Sequence, residues 1–396
     1  MKRKLLSTGI IVILLVILAG CGTAGKYYKD GKKNFESKNY EKAADCFKKA
    51  IDNNPNRADY LISYGLALTA LGKYEDAMKQ FDLAYRDKNM SIIRENNKKA
   101  LRGKGIALYR MQEYTKAMDE FHKALQINEL PEVNMDILYY IGSSQRAAGL
   151  YDDAIKTYNK IIKKKKSAQV FGDRAYCYQC MGSYEKSLTD YDKAIALEPK
   201  NYDYYFGKFF LLLEQGNGAG AKEVLNTAAK IEVKTKRDHY NLAKLHYYQE
   251  NYKTALTELE KSYSDGFSEA YYYIGEIYRN NKDYPKAIFY YEKYIQSDNI
   301  SLPNVYNQIA VCLIKTEEYK KAIKYLNSGM AYQNPFPSKI LMKNEIIAYE
   351  GLGDFKASNK KLKKYLKKYP NDKEAIREAE FVGTRMPGFA ADNTGK

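Results

Sequence analysis

Small and apolar side chains recur along the chain at offsets of 3, 7 and 10 residues from a leading residue, usually an aromatic one. The clearest case is Tyr40, Ala43, Phe47 and Ala50. These offsets place all four side chains on one face of a helix. Two of the four are alanines, so another helix can approach that face closely, and Pro55 follows as a stop signal. The pattern predicts an amphipathic helix that packs against a neighbouring helix.

The same helical face returns nine more times. Its leading residues stand at positions 40, 74, 114, 151, 184, 218, 252, 284, 319 and 355, at intervals of 32 to 40 residues. A second amphipathic stretch precedes most copies and carries a small residue at a nearly fixed distance, such as Gly31, Gly65 and Gly105. The copies that begin at Gly218 and Phe355 are the least regular. The chain is therefore predicted to consist of consecutive helix pairs.

This arrangement resembles the tetratricopeptide repeat (TPR) family, whose unit is a helix–turn–helix of about 34 residues. The resemblance extends from residue 24 to about residue 370. It implies an all-α protein, a right-handed α-solenoid (superhelix) of about ten repeats with a C-terminal capping helix. Since each repeat contacts only its neighbours, we expect one elongated domain even in a chain of 396 residues.

The resulting domain boundaries are as follows. We predict a lipoprotein signal peptide at 1–20, a lipidated cysteine and short linker at 21–26, and the TPR solenoid at 27–370. A capping helix at 371–383 and a disordered tail at 384–396 complete the chain.

The first residues have the composition of a targeting segment. Lys2, Arg3 and Lys4 precede an apolar run at 5–20, which is shorter than the roughly 20 residues that span a bilayer. Residues 18–21, Leu-Ala-Gly-Cys, resemble a bacterial lipobox, which implies cleavage before Cys21 and attachment of acyl chains such as palmitate to that cysteine. The alternative is an uncleaved anchor with an incidental cysteine. Either alternative places the repeats at the extracytoplasmic face of the cell membrane.

The formal net charge of +17 is carried mostly by lysine. Such an excess favours acidic partners. The alternative function that follows is binding of anionic envelope polymer or lipid headgroups, although a lysine excess is also typical of AT-rich genomes. Nucleic acid is not expected as a partner of an exported protein with few arginines.

Two short motifs suggest chemistry but have a simpler interpretation. Residues 216–221 match the G-x-G-x-x-A of a dinucleotide-binding loop, but the repeat pattern continues through them, which predicts a turn between two helices. Cys177 and Cys180 form C-x-x-C, yet they are predicted to lie in the middle of a helix as buried or half-buried thiols. His239 and His246 are predicted to be core histidines. With no nucleophile–base motif, P-loop or zinc-ligand spacing, we predict no catalysis, no cofactor and no metal.

The resemblance instead implies a binding surface. In TPR proteins the concave groove is lined mainly by the first helices of the repeats, and Tyr and Arg are enriched at binding hot spots. We therefore expect a non-catalytic scaffold that binds a partner protein or peptide. Transferred to this sequence, the groove residues are Lys99, Arg102, Tyr109, Arg110, Tyr139, Arg146, Tyr176, Phe206, Phe210, Arg237, Tyr240, Lys244, Tyr247, Tyr248, Tyr272 and Arg279.

Overall fold

The structure is a computed structural model that describes residues 22–297, 303–331 and 338–385. Within these ranges the chain forms α-helices and no strands. The predicted signal peptide and Cys21 lie outside the described residues, as do residues 386–396 of the predicted tail. The helices divide into two compact units, residues 1–226 and 227–396, where the sequence predicted one uninterrupted array.

Unit 1 contains six helix pairs, and the last turn of the final helix crosses its boundary. In each pair the odd-numbered helix is called the first helix and the even-numbered one the second helix. They are α1 (Thr23–Glu36), α2 (Tyr40–Asn53), α3 (Ala58–Ala70), α4 (Tyr74–Ala84), α5 (Ser91–Arg110), α6 (Tyr114–Gln126), α7 (Asn134–Ala147), α8 (Tyr151–Lys164), α9 (Ala168–Cys180), α10 (Tyr184–Leu197), α11 (Tyr202–Glu214) and α12 (Gly218–Ala228).

Unit 2 contains four further pairs and one terminal helix. They are α13 (Lys236–Tyr248), α14 (Tyr252–Ser264), α15 (Ala270–Asn280), α16 (Tyr284–Ser297), α17 (Pro303–Lys315), α18 (Tyr319–Met330), α19 (Ser338–Gly351), α20 (Phe355–Lys368) and α21 (Lys373–Thr384). Helix α21 packs on α20 through Ala375 and Val382, so the predicted terminal helix is present at 373–384.

In every pair, the second helix begins at the leading residue of the sequence pattern, from Tyr40 in α2 to Phe355 in α20. The face at offsets 3, 7 and 10 forms the core, since Ala117, Phe121 and Ala124 are all fully buried. In the irregular copy that begins at Phe355, the residues at these offsets, Ser358, Leu362 and Tyr365, are buried as well. The pattern therefore predicted both the helices and their buried face, and the protein is an all-α TPR solenoid.

The two helices of a pair interlock at one fixed point. In five pairs, a glycine nine positions before the second helix lies directly against the aromatic ring at offset 7 of that helix. A Cβ added to Gly142 would lie 2.6 Å from a ring carbon of Tyr158, and one added to Gly275 would lie 2.7 Å from the ring of Tyr291. Because atoms cannot approach so closely, a glycine at this position lets the backbone of the first helix rest on the aromatic ring.

The turn within each pair requires one residue with positive φ, two positions before the second helix. Five repeats use glycine there, for example Gly149 with φ 78°. The other five hold a residue with a side chain in the left-handed region, namely Lys38, Gln112, Glu250, Lys282 and Glu317. Glycine adopts this conformation without steric cost, whereas other residues are strained by it.

Several local predictions are confirmed and a few boundaries differ. Helix α5 has 20 residues and thereby accounts for the longest interval between repeats. Ser167 occupies the predicted N-cap position of α9, but its side chain makes no capping hydrogen bond. Helix α1 begins at Thr23, inside the predicted linker 21–26 and four residues before the expected start of the solenoid.

Candidate functional site

The sixteen predicted groove residues differ widely in exposure. Three are exposed: Arg110, Tyr176 and Phe210. Nine are half-buried: Lys99, Tyr109, Tyr139, Arg146, Arg237, Tyr247, Tyr248, Tyr272 and Arg279. Four are buried: Arg102, Phe206, Tyr240 and Lys244.

In unit 1, several of these side chains connect one first helix to the next. The Arg102 Nε on α5 lies 2.5 Å from the Asp136 carboxylate on α7. The Tyr139 hydroxyl on α7 donates to Asp173 on α9 at 2.8 Å, and Arg146 Nε lies 3.7 Å from the same carboxylate. These polar contacts join adjacent first helices and hold neighbouring repeats in register.

Burial and the nearby Asp173 carboxylate together shift the pKa values of Tyr139 and Arg146. Burial, and then the Asp173 carboxylate, raise the pKa of Tyr139 well above its ordinary value, so the hydroxyl remains a hydrogen-bond donor. Burial disfavours the charged form of Arg146, but the Asp173 carboxylate together with Tyr158, Tyr109 and Tyr139 raises the pKa of the guanidinium. Sequence reasoning did not select Asp173, although its separation of 34 residues from Tyr139 is one repeat length.

Helices α9 and α11 carry exposed apolar side chains. Tyr176 is 38% exposed, Phe210 42% and Leu213 47%. Tyr176 and Phe210 are one repeat apart and occupy equivalent positions in first helices that contact each other. We call Tyr176, Phe210 and Leu213 the α9–α11 strip.

The strip is held in place by its neighbours. The guanidinium carbon of Arg146 lies 5.4 Å from the centroid of the Tyr176 ring, a cation–π contact. On the other side, the Gln179 amide on α9 donates to Glu214 on α11 at 2.8 Å. The strip therefore presents oriented apolar side chains with polar and cationic groups beside them, which suits the apolar side chains of another polypeptide.

Two other predicted groove residues of unit 1 are used in packing. Tyr109 lies against Tyr114 and Tyr140, with ring centroids 5.7 and 5.8 Å apart. Phe206 is 5% exposed and stacks on Tyr202. Phe206 has little surface left for a partner, because α11 turns this side chain toward the core.

In unit 2, the predicted groove residues form an aromatic cluster within the protein. The Tyr240 ring is 4% exposed because Phe267, from the loop before α15, stacks on it at 5.3 Å. The Lys244 ammonium lies 5.6 Å from the ring centroids of both Tyr240 and Tyr273. The Tyr248 and Tyr273 hydroxyls are 3.2 Å apart. Tyr240 and Lys244 thus pack repeats together, which corrects the expectation that they line an open groove.

The arginines of unit 2 are also engaged internally. Arg237 lies over the ring of Phe267, 4.4 Å from its centroid. Arg279 Nη2 lies 2.7 Å from the buried Glu276, which also accepts a hydrogen bond from the Tyr291 hydroxyl. These contacts leave Tyr176 and Phe210 of the α9–α11 strip as the exposed aromatic side chains of the predicted groove.

The sequence motifs that suggested chemistry are structural. Gly216 has φ 73° and follows helix α11, whereas a dinucleotide loop requires a preceding strand. Cys177 is buried, and burial raises the pKa of its thiol to about 12, the opposite of an activated thiolate. Cys180 is the exposed last residue of α9 and not in the middle of a helix as expected. His239 is also exposed, which corrects its assignment to the core.

No group of three or more His, Cys, Asp or Glu side chains could hold a metal ion in the part of the chain that the structure covers. In those same ranges, none of the helices has the length and apolar character needed to cross a bilayer.

Comparison with known proteins identifies similar chains. The wheat (Triticum aestivum) Hsp70-Hsp90 organizing protein is 27% identical over 198 residues, which are 43% of this chain and 34% of that protein. A TPR repeat-containing protein of Methanocaldococcus jannaschii is 22% identical over 329 residues, 78% of this chain and 52% of that protein. The chain therefore spans only about a third to a half of the length of these curated relatives.

Two solved structures are similar to this chain. The crystal structure of the APC/C hetero-tetramer Cut9-Hcn1 matches 91% of this chain and 76% of its own, at 16% identity and a TM-score of 0.49. A tetratricopeptide repeat protein from Parabacteroides merdae matches 63% of this chain and 98% of its own, at 16% identity and a TM-score of 0.47.

Models of the tetratricopeptide repeat family match residues 34–91, 136–165, 168–201, 240–299 and 303–333, in total slightly more than half of the sequence. These matches lie on the helix pairs described above. On the repeat pattern, the fold and these matches together, the chain belongs to the tetratricopeptide repeat family.

Proposed function

We propose that this protein is a non-catalytic scaffold that binds a partner protein or peptide through the α9–α11 strip. The observation that carries the proposal is the exposure of Tyr176, Phe210 and Leu213 at the surface of two adjacent first helices. Water-exposed aromatic and aliphatic groups gain about 25 cal/mol per Å² when a partner covers them. Arg146 beside Tyr176 orients the ring through a cation–π contact, while Asp173 balances the charge of the guanidinium.

The shape of the strip favours a segment of polypeptide over a small molecule. Its side chains stand on two separate helices and lie open to solvent. Such a surface matches an extended or helical segment with apolar residues at intervals. The name of the wheat relative, an Hsp70-Hsp90 organizing protein, describes a protein that organises other proteins, which supports the same general role.

We further propose that the scaffold is held at the extracytoplasmic face of the cell membrane through acyl chains on Cys21. The support is the sequence at 1–21, a basic start, an apolar run and a lipobox-like Leu-Ala-Gly-Cys. More than one acyl chain, at about 0.8 kcal/mol per buried CH₂, anchors a protein durably. Cys21→Ser is expected to move the protein from the membrane fraction to the soluble fraction and to abolish incorporation of labelled fatty acid. Unchanged labelling would refute the lipidation.

The strip is tested by crosslinking in native membranes. The variant Tyr176→Ala/Phe210→Ala/Leu213→Ala removes its three side chains. The control Leu83→Ala/Met90→Ala/Ile92→Ala removes three apolar side chains that are 47% to 58% exposed elsewhere in unit 1. We expect one or a few crosslinked proteins to be lost from the strip variant and retained by the control. Identical partners in both variants would contradict the proposed site.

A further inference from the structure

Helices α18 and α20 differ from the other second helices in their charge. Both contain lysines and neither contains Asp or Glu, whereas each of the other eight second helices has at least one acidic residue. Helix α18 carries three lysines and α20 carries seven. Both helices belong to unit 2 and both pack against α19.

Exposed lysines occupy one face of α20 and equivalent positions on α18. On α20, an exposed lysine stands at positions 356, 360, 363, 364 and 367, and this spacing places them on one helical face about 16 Å long. On α18, the exposed Lys320 and Lys324 occupy the positions equivalent to Lys356 and Lys360. We call these seven residues the lysine face.

The carboxylates that flank the lysine face are already engaged elsewhere. Glu318 pairs with Lys321, and Asp354 caps α20 by accepting from the Ala357 amide at 2.9 Å. Glu345 pairs with Lys361 at 2.6 Å. Asp372 accepts from the Tyr365 hydroxyl and lies 3.1 Å from both Lys339 and Lys343. Within the described residues, none of the seven lysines of the lysine face forms an ion pair.

We propose that the lysine face binds a linear polyanion that carries repeated phosphate groups. A row of point charges on flexible stems fits successive phosphates without a fixed geometry. Binding releases the counterions of the polymer, so its strength depends steeply on salt. The lysine face lies in unit 2 and on second helices, so this inference does not depend on the α9–α11 strip.

A polymer fits this surface better than a bilayer does. Helices that bind bilayers combine basic residues with exposed apolar ones that enter the headgroup region. The apolar side of α20 is packed inside the protein, since Leu362 is 1% exposed and Tyr365 is fully buried. No large apolar side chain of α18 or α20 is exposed.

The test compares two variants that each lose five positive charges. The first carries Lys356→Gln, Lys360→Gln, Lys363→Gln, Lys364→Gln and Lys367→Gln. The control carries the same change at Lys49, Lys79, Lys116, Lys156 and Lys286, each of which is ion-paired within its own repeat. Glutamine and lysine have similar helix propensity, and circular dichroism checks that both variants are folded.

Binding to long-chain inorganic polyphosphate is measured over a range of salt concentrations. We expect the first variant to lose at least about tenfold in affinity and about three units in the slope of log K against log salt. The control is expected to change by less than about threefold. Equal losses in both variants, or no binding by the unmodified protein, would overturn the proposal.

A second arm uses vesicles of phosphatidylcholine with about 30 mol % phosphatidylglycerol. If the five α20 lysines governed binding to these vesicles but not to polyphosphate, the surface would be membrane-facing and the proposal wrong. Polyphosphate binding that requires these lysines, with vesicle binding that does not, supports it.

Discussion

At the scale of single residues, the turn inside each repeat shows how backbone strain is distributed. All ten turns need a positive φ, and five of them hold a residue other than glycine. A residue with a side chain costs about 1–2 kcal/mol in this conformation, part of which is offset because glycine is more flexible in the unfolded chain. The strained turns are therefore places where a single substitution should stabilise the protein.

We predict that Lys282→Gly stabilises unit 2 by about 0.5 kcal/mol, measured as a rise in the denaturant midpoint. The reverse change in an equivalent turn, Gly149→Ala, should destabilise unit 1 by about 1 kcal/mol. Nothing lies within 4 Å of a Cβ added at Gly149, so this variant reports backbone strain alone. A stable Gly149→Ala protein would show that the turn relaxes.

Close contact, as opposed to strain, is tested at Gly142. The Gly142→Ala change would place a Cβ 2.6 Å from the ring of Tyr158, so we predict destabilisation by about 1–3 kcal/mol in chemical denaturation. Gly383 in α21 is the matched control, since an added Cβ has no neighbour within 4 Å there. Gly383→Ala should be neutral or slightly stabilising. Similar losses at both positions would contradict the interlock.

The sequence correctly predicted which residues of each second helix are buried, but not which side chains of the expected groove are exposed. The offsets 3, 7 and 10 identify core positions because helical geometry alone determines them. Exposure depends on what else covers a side chain. Tyr176 and Tyr240 were both assigned to the groove, but Phe267 from a loop covers Tyr240, and no periodic pattern encodes a loop conformation.

At the scale of elements, a pair of carboxyl groups links the last helix, α21, to α19. Glu350 on α19 shares a hydrogen bond with Glu378 on α21, and Ser358 on α20 donates to Glu350 at 2.9 Å. Burial, together with Glu378, raises the pKa of Glu350 to about 7. The existence of α21 was predictable, because a stack of repeats must end in a covered face. The contact between Glu350 and Glu378 was not predictable, since these two residues meet only through tertiary packing.

This pair makes the stability of unit 2 depend on pH. A raised carboxyl pKa means that the folded state binds the proton more tightly, so the stabilisation is full at low pH and is lost as pH rises through about 7. We predict that Tm falls between about pH 5 and pH 8, and that Glu350→Gln makes the profile flatter. Glu380→Gln, an exposed change on the same helix, is the control and should leave the slope unaltered.

At the scale of the molecule, substantial contacts within the described ranges join only helices that are one or two places apart in the chain. Damage at one end should therefore stay local. We predict that Val382→Asp, which puts a charge into the core between α20 and α21, speeds hydrogen exchange in α19–α21. Amides in α1–α6 should exchange at their original rates. Faster exchange along the entire chain would show a cooperativity that these contacts do not explain.

The same restriction to near neighbours bears on how the polypeptide acquires its structure. Proteins dominated by contacts that are close in sequence have low contact order and fold quickly for their size. Here a helix has its packing partner once the next one or two helices, within about 40 residues, are available. The first repeats can therefore become ordered before the later ones are available, and a chain of 396 residues needs no long-range search to begin folding.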